Sequence, residues 1–236
     1  IKKYNDDEKE KRSLFYSMPR HFRPSLMTIA TDYGMPGFAM RSAGLLKRDG
    51  HPVDLKALYP FPSWQLPNEV EIDAAFIYAM VRQESQFYSR AMSRRGARGL
   101  MQLMPRTAAS IGKSKRFRRG RGRDALFDPK TNLILGSKYL LHLMQSGNLS
   151  GNLFKVLAAY NAGPGNLRKW ERKLEYKNDP LLFIESIPSR ETRHFIKKVM
   201  LGLWIYRFRL NELAPTLSDV AGGNWPKYMP ASEKKL

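Results

Sequence analysis

Cysteine is absent from the chain. That excludes disulfides, thiolate zinc sites and thiol redox chemistry. Histidine is scarce: His21, His51, His142 and His194 are scattered without ligand spacing, so no metal and no cofactor are expected. Long apolar runs are also missing. The longest, VMLGLWIY from Val199, falls well short of the ~20 residues that a transmembrane segment needs. The opening IKKYNDDEKEKR lacks the apolar centre of a signal peptide, and the chain starts at Ile1 rather than Met. A processed or truncated form, with any export signal lost, is therefore expected. Acidic residues are in short supply: 21 Asp and Glu face 41 Lys and Arg, a formal net charge of +20. Such an excess predicts attraction to polyanions, and nucleic acid, anionic lipid and acidic wall polymer all qualify.

What is present is ordinary for a globular chain: 236 residues and 42% hydrophobic content, enough for a sizeable core. Strand-like alternation is nearly absent, so the fold is expected to be all-α or nearly so. YGMPG and RDGHP punctuate short helices between Pro19 and Leu58, and the first dozen residues read as frayed or a helix start. Pro60, Pro62 and Pro67 then fall close together, which no helix interior tolerates. The seam divides a small helical region, 1–66, from a main domain, 67–236. In the main domain the spacing predicts helices over Asn68–Ser89, from Pro105 to Gly112, from Asp128-Pro129 to Gly147, up to Gly163, from Pro164, from Asp179-Pro180, and a final long one from Ser189 to about Leu210. KSKRFRRGRGR, Lys113 to Arg123, has seven basic residues in eleven and reads as a mobile loop.

Ile72, Phe76, Met80, Glu84 and Phe87 follow one helical stripe. An acid in such a row is costly to ionise unless something pairs with it. It is either a buried partner of one of the many arginines or a general acid whose raised pKa keeps it protonated. Gln83 and Ser85 flank it, and the turn GARGLMQLMP carries Gln102, with Gly96 and Gly99 allowing close approach of the backbone. Tyr160 and Asn161 sit in the last turn of a helix before Gly-Pro-Gly, where helix-ending chemistry is the plain alternative. Glu191 falls in the first turn of a helix, where the dipole favours an anion, and a surface acid is its plain alternative. Glu185 reads as structural. Trp64, Trp170, Trp204 and Trp225 read as core or seam residues.

In order along the chain, AMVRQES, GARGLMQLMP, LAAYNAGPG and ESIPSRETRHFIKKV resemble the catalytic domain of the soluble lytic transglycosylases, over residues 68–212. The resemblance implies a goose-type-lysozyme-like helical fold preceded by a small helical linker region, the tail of a longer superhelix. It implies cleavage of the β-1,4 bond between N-acetylmuramic acid and N-acetylglucosamine of peptidoglycan, with a 1,6-anhydro product. Carried over, Glu84 is the sole catalytic acid/base. Ser93, Gln102 and Met104 line the glycan groove, and Tyr160 stands near the acid with Asn161 beside it. Glu191 holds sugar or peptide near the cleavage point. Phe195 departs from a tyrosine usual in that family. The implied location is the periplasm and the implied partner is the glycan strand. A monomer is expected, with the basic loop as a docking point for anionic wall polymer and no nucleic acid. A hydrolytic muramidase, or an inactive cationic binding protein, are the rival readings.

Overall fold

The computed structural model describes residue 13 and residues 15–230. The helix start expected in the first dozen residues lies outside them. After a helical stretch through residues 15–17, the described residues form, in chain order, α1 (Arg23–Asp32), α2 (Pro36–Arg48), α3 (Leu55–Leu58), α4 (Ala74–Ser85), α5 (Pro105–Ile111), α6 (Pro129–Gln145), α7 (Leu153–Ala162), α8 (Pro164–Glu171), α9 (Pro180–Ser186), α10 (Arg190–Arg209) and α11 (Pro215–Ala221). Among the described residues the only β pairing is three isolated bridges, so the fold is all-α.

The centre is α4. Ala75, Phe76, Ile77, Ala79, Met80 and Val81 are all buried, so this helix is covered on every side. It packs along α10, where Gly202 and Ala79 bring the two backbones close, and α7 covers the other flank of α10 with Phe154, Val156 and Leu157. Each large side chain buried here contributes roughly 1.5–3 kcal/mol. Smaller clusters form around Phe117, Leu126 and Leu135, and around Phe15, Met27 and Leu46.

The proline-rich seam is bolted to α4 and α10. Tyr206 Oη donates to Pro60 O at 3.1 Å, Arg82 Nε donates to Leu58 O at 3.0 Å, and Arg209 donates to Tyr59 O. The Arg82 guanidinium lies 4.0 Å from the Tyr59 ring centroid, and that of Arg209 lies 4.0 Å from Phe61.

Three expectations need correction. The helix placed over Asn68–Ser89 is shorter. Asp73 caps it by accepting from Phe76 N at 3.0 Å, and Gln86 and Phe87 turn left-handed, at φ 52° and 63°, and end it. Asp73 is itself fixed by buried Arg207, 3.4 Å away, and donates its amide to Tyr228 Oη at 3.2 Å. The segment Lys113–Arg123 is not an irregular loop: it forms 3₁₀ turns over Lys115–Arg118 and Gly120–Phe127, with Phe117 driven into a core cluster. And α10 is not the final helix, because Pro215 starts α11, where buried Thr216 accepts from Trp204 Nε1 at 3.0 Å.

Candidate active site

The stripe of α4 runs from Phe76 and Met80 in the core to Glu84, where the helix reaches a cleft of about 620 Å³. Gln83, Glu84, Ser93, Gln102, Asn161, Arg190, Glu191, His194 and Phe195 line this cleft. Three regions distant in sequence therefore meet: the end of α4 with the turn after it, the end of α7 and the start of α10.

No salt bridge reaches Glu84 among the described residues, so the reading of a buried acid paired with an arginine does not hold. Burial raises its pKa from 4.5 to about 8, and the negative charge of Glu191 adds to the rise. At neutral pH the carboxyl is thus mostly protonated. Such a group can give a proton to an oxygen held in the cleft and take one back.

The turn after α4 is shaped by backbone contacts. Ser93 N donates to Ala97 O at 3.0 Å, and Ala97 N donates back to Ser93 Oγ at 3.0 Å. Gln102 adopts φ 46°, and its Nε2 donates to Ala91 O at 3.0 Å and Gly99 O at 2.9 Å. With the amide nitrogen so engaged, the carboxamide oxygen is the group left for the cleft. Gly99, at φ 80°, is required here, because a Cβ would fall 2.1 Å from Leu126 O and 2.2 Å from Asn132 Nδ2.

Asn132 of α6 is the brace that sequence reasoning missed. Fully buried, it accepts from Met101 N at 2.8 Å and donates to Arg98 O at 2.9 Å and Leu126 O at 2.7 Å. A buried side chain that satisfies three backbone groups holds a turn that has no sheet to support it.

Tyr160 is half-buried and is not among the residues that line the cleft. Its hydroxyl donates to Met101 O at 2.7 Å, and its ring stacks on Phe195 at 6.3 Å and 4°. Its pKa is pushed well up by burial, then by the neighbouring charge of Glu84 and by Tyr139. Phe195 is 3% exposed, so this position presents an apolar edge to the cleft. Asn161 lines the cleft, and its Oδ1 lies 2.7 Å from Thr192 Oγ1, which ties the end of α7 to the start of α10. Met104 stands apart from the lining, 40% exposed at the N-cap of α5. Glu191 is exposed on the rim.

Arg190, unread in the sequence, and His194, read there only as an isolated histidine, also belong to the lining. Helical spacing was the available signal: His194 is one turn from Arg190, and Phe195 one turn from Glu191. Glu185 pairs with Lys197 on the surface, and none of the four tryptophans lines the cleft. Among the described residues no group of three or more His, Cys, Asp and Glu could hold a metal. No described helix is long and apolar enough to cross a membrane.

Comparison with known proteins places this cleft in a context. Residues 65–183 match the family described as Transglycosylase SLT domain, a match that ends before Glu191. The chain is 36% identical over 149 residues to the soluble lytic murein transglycosylase of Salmonella typhimurium, covering 63% of this chain and 23% of that protein. It spans about a quarter of the length of this and the other soluble lytic murein transglycosylases it matches. The crystal structure of the 70 kDa soluble lytic transglycosylase of Escherichia coli superposes with a TM-score of 0.77 at 28% identity, over 96% of this chain and 36% of that one. An inactive mutant of the lytic transglycosylase Slt of Pseudomonas aeruginosa, with glutamine in place of a glutamate, gives 0.71 at 27% identity, over 96% and 35%.

Proposed function

The chain belongs to the transglycosylase SLT domain family, and from that membership we propose that it is a peptidoglycan lytic transglycosylase. It cleaves the β-1,4 bond between N-acetylmuramic acid and N-acetylglucosamine. The observation that carries the reading is Glu84: an acid at the cleft wall, without a salt-bridge partner and with a pKa raised to about 8.

Glu84 protonates the oxygen of the scissile bond as the bond to the muramic C1 breaks. The resulting carboxylate then removes the proton from the muramic C6 hydroxyl, which attacks C1 and closes a 1,6-anhydro ring. The proton returns to Glu84 and no water is consumed. An internal hydroxyl suits the second step because it is tethered at high effective concentration. Ser93, Gln102 and Asn161 hold the sugars by their polar groups, and Met104 extends the groove past Gln102. Tyr160 fixes the wall behind the acid through Met101. Glu191 orients sugar or peptide at the cleavage point and keeps Glu84 protonated to higher pH. The site of action is the periplasm, where the positive charge draws the protein to anionic wall polymer.

A second reading, a hydrolytic muramidase, is favoured by one observation: Glu191 is near enough to act on the charge of Glu84, and hydrolases of this bond commonly use two carboxylates. Mass spectrometry of products released from purified sacculi separates the two. The transglycosylase leaves muramic ends one water lighter and without a reducing group. Reducing muramic ends as the main product would establish the hydrolase.

A further inference from the structure

Lys113–Arg123 is the most cationic stretch of the chain, and it is built into the fold. All seven of its Lys and Arg side chains are exposed, and none is in a salt bridge among the described residues. Yet the backbone beneath them is held. Phe117 is 3% exposed among Leu103, Ala108, Ala109, Leu126 and Leu135. At Gly122 the chain folds back so tightly that a Cβ would lie 2.0 Å from Arg116 O. Seven like charges carried on one short platform repel each other, and no salt bridge among the described residues neutralises them.

The platform is also tied to the cleft. Asn132 Nδ2 donates both to Leu126 O, at the platform's end, and to Arg98 O, in the turn between Ser93 and Gln102. Asp124 Oδ1 lies 4.0 Å from Arg98 Nε, a second link. Between Met104 and the first cation stands only α5 with its Gly112 cap. At 1.5 Å per residue this helix is about 10 Å long. A polymer that leaves the cleft past Met104 and follows α5 reaches the platform within about that length.

We propose that this platform docks the free carboxylates of the murein peptide stems while the glycan occupies the Glu84 cleft, a proposal that rests on peptidoglycan being the substrate. Because the backbone that carries the cations is held before the polymer arrives, less ordering is lost on docking. The alternatives fit less well. The one apolar side chain of the segment, Phe117, is buried, so nothing anchors in lipid. For the same reason no exposed aromatic is present on which the bases of a single-stranded nucleic acid stack.

The test measures binding to sacculi with the chain carrying Glu84→Gln, so that nothing is cleaved. Native sacculi are compared with sacculi whose carboxyl groups have been converted to methylamides by carbodiimide coupling. A second protein adds Lys115→Gln, Arg116→Gln, Arg118→Gln and Arg119→Gln, retaining Phe117. The expected result is that amidation weakens binding by about tenfold at low salt, as loss of several exposed ion contacts predicts, and that the four substitutions remove this difference and flatten the salt dependence. Equal binding to native and amidated sacculi overturns the proposal, and this arm needs no platform variant to fold. Persistence of the full difference in a folded platform variant, checked by circular dichroism, overturns it too. So does tighter retention on phosphatidylglycerol vesicles or duplex DNA than on native sacculi. Failure of the enzymatic reading has a separate signature, the absence of lysis by the unsubstituted chain.

Discussion

Replacing Glu84 by glutamine should stabilise the protein while abolishing its activity. The folded chain holds the Glu84 proton more tightly than the unfolded chain does, with a pKa of about 8 against 4.5. Below pH 4.5 both states are protonated and the burial of Glu84 costs nothing through ionisation. As pH rises from there to about 8, the unfolded state ionises first, and folding loses about 1.4 kcal/mol per pH unit. The accumulated loss is about 3 kcal/mol at pH 7 and about 5 kcal/mol above pH 8, where it levels off. Glutamine has the same shape and no titration, so Glu84→Gln escapes the loss. At pH 7 its melting temperature should exceed that of the unsubstituted chain by about 6–12 °C, taking 2–4 °C per kcal/mol for a chain of this size. Calorimetric scans at pH 4.5, 7 and 9 on both proteins make the comparison. The gain should be near zero at pH 4.5, and larger at pH 9 than at pH 7. A gain that does not vary with pH, or a loss at pH 7, would refute the argument that burial holds this carboxyl neutral. Lysis of sacculi by a folded Glu84→Gln protein would separately remove Glu84 from its catalytic role.

Two further outcomes follow from the cleft. If protonated Glu84 is the acid, lysis should fall on the alkaline side with an apparent pKa of about 8. Glu191→Gln should move that limb to lower pH, since the charge of Glu191 helps to raise the Glu84 pKa; a limb that stays in place would exclude the coupling. Asn132→Ala leaves Met101 N and Leu126 O without their partner, at about 1–3 kcal/mol for each buried group left unsatisfied, while Arg98 O keeps its bond from Leu103 N. The variant should therefore unfold about 4 °C lower or more and lose most of its lysis, because the turn carrying Gln102 loses its brace. Lysis at full rate by this variant would show that the turn holds itself.

The chain order of residues settled a good deal about this protein. Asp128-Pro129 and Asp179-Pro180 start α6 and α9, and Ser189 starts α10, because caps and proline act within a single turn of chain. The misplaced acid on an apolar stripe pointed to Glu84 for an equally local reason, that helical spacing puts it in line with Phe76 and Met80. What escaped depends on residues brought together from far apart. The start of α4 is set by Asp73, which Arg207 and Tyr228 hold from the other end of the chain. The basic segment is ordered by the burial of a single phenylalanine between α5 and α6, which its surrounding charges conceal. Asn132 looks like any polar residue in a helix until the turn of Gly99 is folded against it. The pKa of Glu84 belongs to none of these segments alone. It comes from the helices that exclude water around the carboxyl and from the one that brings Glu191 near, and only their packing sets how strongly either acts.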